Sequence, residues 1–94
     1  MKVVCVIPAW NEAKTIVNVV QEVKKYVDEV IVVDDGSEDE TGRLARSAGA
    51  TVLVHTINRG QGAALRTGTE YALNIGADII VHFDADGQFA AQDI

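Results

Sequence analysis

Cysteine, proline, aromatic residues and positive charge are all scarce in this sequence. Its one cysteine, Cys5, excludes an internal disulfide. It sits in the apolar run Val3-Val4-Cys5-Val6-Ile7, where a small buried residue is wanted, and is read as core rather than as a reactive thiol. A single proline and 48% apolar residues exclude a proline-rich or disordered segment. No apolar run approaches the roughly 18 residues of a membrane helix, and the run after Met1-Lys2 is too short for a signal peptide. The expectation is a cytoplasmic protein, with any longer parent at the cytoplasmic face of a membrane.

Lys and Arg number eight against fourteen Asp and Glu, a net charge of −6. Residues 1–27 carry four Lys and two Glu, whereas residues 28–94 carry twelve acids and four Arg. No basic stripe is available to neutralise a nucleic-acid backbone, so DNA and RNA are not expected partners. An acidic protein that handles phosphates needs a cation to offset repulsion.

What the chain does have is alternation. Four short apolar runs, residues 3–7, 30–33, 51–55 and 79–83, are separated by stretches of helical period. Asn11 is placed to cap a first helix carrying Ile16, Val19, Val20, Val23 and Val27. Ser37 and Glu40 have the spacing of a capping box for a second helix, with Leu44, Ala45 and Ala48 inward and Gly49 as its stop. Asn58-Arg59-Gly60-Gln61-Gly62 reads as a flexible loop into a third helix lined by Ala64, Leu65, Gly68, Ala72 and Ile75 and ended by Gly76. Strands alternating with helices predict an α/β fold with a parallel sheet and right-handed crossovers, one small domain at this length of 94 residues.

Such sheets bind ligands outside the carboxyl ends of their strands. Polar groups fall there three times: Asn11-Glu12, Asp34-Asp35, and Asp84, Asp86 and Gln88. Asp84 and Asp86, two residues apart and freed by Gly87, can turn toward one hard cation, with Gln88 as a third oxygen, a set that suits Mg²⁺ or Mn²⁺. A solvated acidic turn is the plain alternative. An EF-hand fails on spacing: counted from Asp84 its sixth position is Phe89 rather than glycine, and the sequence ends at the eleventh. An aspartyl phosphohydrolase would carry its motif after the first strand. The Asp34-Asp35 pair suits a ribose hydroxyl or a base N–H, or a simple turn. NAD binding is disfavoured because Pro8-Ala9-Trp10-Asn11-Glu12 stands where Gly-x-Gly-x-x-Gly is needed.

Arg59 and Arg66 are equally suited to a phosphate and to solvent. His55 and His82, without a Cys or His at metal spacing, are read as strand residues. Gly68 is read as allowing close helix packing, and Trp10 as a lid or a stacking surface for a base.

Pro8-Ala9-Trp10-Asn11-Glu12, Val32-Val33-Asp34-Asp35-Gly36-Ser37, Asn58-Arg59-Gly60-Gln61-Gly62 and Asp84-Ala85-Asp86-Gly87-Gln88, in that order, resemble the motif set of family 2 glycosyltransferases across all 94 residues. The last motif and the third-helix entry most resemble dolichyl- or polyprenyl-phosphate mannosyl- and glucosyltransferases. The resemblance implies a three-layer αβα, Rossmann-like nucleotide-sugar-binding domain of the GT-A type, of which residues 1–94 form the N-terminal part, ending just past the Asp-x-Asp motif. It implies inverting transfer from a nucleotide sugar of the GDP-mannose or UDP-glucose class to a polyprenyl phosphate. Pro8, Ala9, Trp10 and Glu12 would hold base and ribose, with Val33 and Asp35 beside the base. Asp84 and Ala85 would lie along ribose and diphosphate, and Asp84, Asp86 and Gln88 would hold Mg²⁺ or Mn²⁺. Trp10 stands where Tyr is common, and Phe89-Ala90-Ala91 replaces a frequent His-x-Pro. The acceptor half is expected beyond Ile94, so no catalytic base is named. For the piece in isolation, self-association through the unpaired edge of its fourth strand and no transferase activity are expected, with a binding-only nucleotide module or a self-assembling inactive half-domain as the alternatives to an enzyme.

Overall fold

The computed structural model describes residues 1–85. Four strands, β1 (Val3–Ala9), β2 (Glu29–Asp35), β3 (Thr51–His55) and β4 (Ile79–His82), form one parallel sheet in the order β3-β2-β1-β4. Between them run the helices α1 (Ile16–Val23), α2 (Thr41–Ser47) and α3 (Gln61–Asn74).

The central strands β1 and β2 are buried along most of their length because both faces of the sheet are covered there, whereas the edge strands β3 and β4 keep exposed residues such as Val54 and Ile79. Alternate residues point to opposite sides, so Cys5, Ile7, Val30 and Val32 pack with Ile16, Val20 and Val23 of α1 and Ala45 of α2. Val4, Val6, Ile31 and Val33 pack with Ala64 and Ala72 of α3 on the other face. Three layers result, as the sequence predicts. Cys5 is buried within the first cluster, and that burial pushes its thiol up to about 12. Gly68 is where α3 meets the sheet: a Cβ there would lie 2.3 Å from Val6 Cγ1.

The elements differ from the sequence reading chiefly at their ends. β1 runs through Pro8 because β4 reaches only as far as Val6↔His82, and beyond that point the missing proline N–H faces no partner strand on that side. Asn11 does not cap α1. It lies in the left-handed region at φ 54, and the helix begins after Thr15, with the Ile16 amide bonded to the Glu12 carbonyl. α1 also stops at Val23, leaving Val27 outside it but packed against the core. The Ser37/Glu40 capping box is likewise absent. The Thr41 amide donates to Asp39 Oδ1 at 3.0 Å, and the Ser37 hydroxyl is taken by the Asn11 amide at 2.9 Å. In both places a partner distant in sequence outcompetes the local cap. Among the described residues no helix is long and apolar enough to cross a membrane.

Candidate active site: a cleft at the carboxyl ends of the strands

Strand order turns around β1: the chain proceeds outward to β2 and β3, then returns through α3 to place β4 on the other flank. β1 is therefore the point at which the strand order reverses, and the carboxyl ends of the strands beside such a point are the usual ligand position in an open parallel sheet. A cleft of about 330 Å³ lies there. Pro8, Ala9, Trp10 and Glu12 line one side, Asp35 the floor, and Asp84 with Ala85 the side toward β4. Asn58, Gly60, Gln61 and Ala64 complete the wall at the entrance to α3.

The loop after β1 is held by the loop after β2. The Asn11 side chain accepts from the Glu38 amide at 2.9 Å, and the Glu12 amide donates to Thr41 Oγ1 at 2.9 Å. Thr41 is fully buried, and its hydroxyl donates in turn to Asp39, whose other oxygen accepts from the Ala13 amide. Burial raises the Asp39 carboxyl pKa, but the Thr41 hydroxyl and the Thr41 and Ala13 amides outweigh it and hold it below the ordinary value. These contacts set Trp10 at the cleft with half its surface open, an arrangement suited to stacking on a planar ring.

Asp34 turns inward to accept from the Ser37 amide at 3.0 Å, closing the turn after β2. Asp35 faces the cleft. Its Oδ1 accepts from His55 Nδ1 at 2.7 Å and the Arg59 amide at 2.9 Å, and its Oδ2 accepts from the Gly60 amide at 2.8 Å. Burial raises its pKa, yet these donors prevail and keep it an anion below the ordinary carboxyl value. The loop expected to be flexible is thus anchored at two successive amides. Gly36 allows the approach, for a Cβ there would sit 2.6 Å from the Asn58 nitrogen.

Asp84 is half-buried at the end of β4 and accepts from Gln61 Nε2 at 3.3 Å. Thr15 Oγ1 donates to the Ala85 carbonyl at 2.6 Å, tying the segment after β4 to the entrance of α1. Asp86 and Gln88, the other expected metal ligands, lie outside the described residues, and among the described residues no group of three His, Cys, Asp or Glu side chains is placed to hold a metal. The donor chemistry still fits a hard cation: Glu12, Asp35 and Asp84 line the cleft, and no Lys or Arg does so among the described residues.

Seven of the residues expected from the sequence thus meet in one cleft. Val33 does not join them; its side chain is fully buried against α3. Asn58, Gly60 and Gln61, which the sequence places in a flexible loop and in the third motif without a ligand-binding role, also line the cleft. Arg59 contributes its amide to Asp35, while its side chain is exposed and outside the lining.

The glycosyl transferase family 2 model matches residues 4–94. The chain belongs to that family. Among its relatives, an uncharacterized protein of Methanocaldococcus jannaschii is 44% identical over 90 residues, covering 95% of the chain and 37% of that protein. UDP-N-acetylglucosamine–dolichyl-phosphate N-acetylglucosaminyltransferase of Methanococcus voltae is 38% identical over 107 residues, covering 95% and 43%. The crystal structure of glucosyl-3-phosphoglycerate synthase from Mycobacterium tuberculosis in complex with Mn²⁺, UDP and glucosyl-3-phosphoglycerate superposes with a TM-score of 0.73 at 32% identity, covering 89% of the chain and 33% of that protein. The glycosyltransferase fold is therefore of the GT-A type, and the chain spans about two-fifths of the length of these curated relatives.

Proposed function

We propose that this chain supplies the donor site of a metal-dependent glycosyltransferase that moves a sugar, with inversion, from a nucleotide sugar of the GDP-mannose or UDP-glucose class to a polyprenyl phosphate. The observation that carries the reading is the cleft itself, whose titratable lining consists of the carboxylates Glu12, Asp35 and Asp84 with no cationic side chain among the described residues. A diphosphate entering alone would meet only like charge, so its binding requires a cation. Membership of family 2 and the dolichyl-phosphate relative support the transfer and the acceptor class.

Each side chain then has a task. Trp10 offers its ring face to the base, and Glu12 and the remaining lone pair of Asp35 accept from ribose or base donors. Asp84, steadied by Gln61, would hold the metal with Asp86 and Gln88. Mg²⁺ or Mn²⁺, when bound, neutralises charge on the leaving diphosphate. An ionised phosphate acceptor approaching from the face opposite the diphosphate needs no base to deprotonate it, and inversion follows from that direction of attack. The reaction belongs on the cytoplasmic side, where nucleotide sugars are supplied.

Calorimetric titration of the protein with UDP and GDP, with and without Mn²⁺, tests this reading. Binding is expected only with the metal, and Asp84→Asn is expected to weaken it by about 1–3 kcal/mol, the scale of a charged hydrogen-bonding contact. Unchanged affinity and unchanged metal dependence in Asp84→Asn would leave the acidic turn as the better account.

A further inference from the structure

His55 has no place in the metal-ligand or nucleotide roles above, yet it is 8% exposed, and both of its ring nitrogens have partners. Asp35, 3% exposed, is ionised and can only accept, so Nδ1 of His55 carries the proton that joins them. Nε2 lies 2.9 Å from Thr67 Oγ1 on α3. The ring is therefore fixed at both ends, between a helix on one side of the sheet and a carboxylate at the end of the neighbouring strand.

The carboxylate it fixes is the one that holds the cleft wall. Three of about four acceptor positions on Asp35 are used, by His55 and by the amides of Arg59 and Gly60. Those two amides can be held together only while the carboxylate keeps one rotation about its Cβ–Cγ bond. The Nδ1 hydrogen bond, 2.7 Å long and buried, selects that rotation. Gly60, at φ 97, is the residue before α3, and its carbonyl accepts from the Ala64 amide at 3.1 Å, so the held amide is joined directly to the helix entrance. Asn58, Gly60 and Gln61, on and beside the held amides, are cleft-lining residues.

We propose that His55 is a positioning residue for nucleotide binding: through Nδ1 it orients the Asp35 carboxylate, which keeps residues 58–60 in the shape that walls the cleft. The inference rests on the cleft being the nucleotide site. It distinguishes the two arms of the ring: Nδ1 reaches the carboxylate that holds the amides of Arg59 and Gly60, whereas Nε2 reaches Thr67, which does not line the cleft.

Two amide replacements separate those arms. The side-chain N–H of His55→Asn falls near the position of Nδ1, whereas that of His55→Gln falls near Nε2. Both are measured in the purified protein for binding of UDP and GDP with Mn²⁺, and for backbone amide exchange at Arg59 and Gly60 against the interior amides of β1. His55→Asn is expected to bind within about twofold of the wild type and to keep both loop amides protected. His55→Gln is expected to bind about tenfold more weakly, with Arg59 and Gly60 exchanging faster while β1 stays protected. Thr67→Val, which removes only the Nε2 partner, is expected to follow His55→Asn. Equal affinities for His55→Asn and His55→Gln, or loop amides in His55→Gln as protected as in the wild type, would overturn the proposal. Exchange that rises equally in β1 and the loop would overturn it too, by showing a general loss of stability. If the wild type binds neither nucleotide, the functional reading falls, and selective loop exchange in His55→Gln still upholds the positioning role.

Discussion

Asp35 answers to three donors at once, and this makes its ionisation part of the stability of the protein. Its folded pKa lies below the ordinary 3.8, so below that pH the unfolded chain binds the proton more readily than the folded one. The contribution is complete above 3.8 and is lost as pH falls through the lowered folded value. Asp35→Asn replaces one accepting oxygen by an amide that confronts a donor N–H, and is expected to cost about 1–3 kcal/mol at neutral pH. Urea unfolding from pH 7 to pH 2.5 checks this: the gap between variant and wild type should narrow below 3.8. A gap constant across the range would mean that the carboxylate is not the source. That an acid belongs at the end of β2 was legible from its position after an apolar run. Its partner was not, because His55 is twenty residues away and no local spacing links the two.

At the scale of elements, the contact between α3 and the sheet sets two effects against each other at Gly68. Alanine is the better helix former by roughly 0.8–1 kcal/mol. Its Cβ, however, would stand 2.3 Å from Val6 Cγ1 and 3.1 Å from Val33 Cγ2, both in the closely packed centre of the sheet. Overpacking of this kind costs about 1–3 kcal/mol. Gly68→Ala is therefore expected to lower stability despite the gain in propensity, and chemical denaturation decides the sign. The existence of every strand and helix among the described residues could be read from apolar runs and helical period, which are local properties. The helix starts could not. Asn11 and Ser37 have the chemistry of caps, but each finds its partner in the other loop, and that choice exists only once β1 and β2 lie side by side.

For the molecule as a whole, the relevant comparison is with relatives of which the chain covers 37% and 43%. Donor and acceptor must be held together for transfer, since positioning dominates such reactions. The 94-residue chain is accordingly expected to bind nucleotide with Mn²⁺ and to transfer no sugar to a polyprenyl phosphate, as a radiolabelled-sugar assay would show; measurable product would refute it. The position of the cleft was legible because parallel sheets concentrate ligands at one end; the wall at residues 58–60 was not, since its shape depends on a carboxylate from another strand. The return of β4 to the flank of β1 also bears on synthesis at the ribosome. A nascent chain that has emerged only through α3 presents β1 with one edge unpaired, a surface for chaperones or for mispairing. Nucleotide cannot rescue that intermediate, because Asp84 and Ala85 have not yet arrived to close the cleft. A ligand would stabilise the finished domain by mass action while leaving its most exposed moment during translation unprotected.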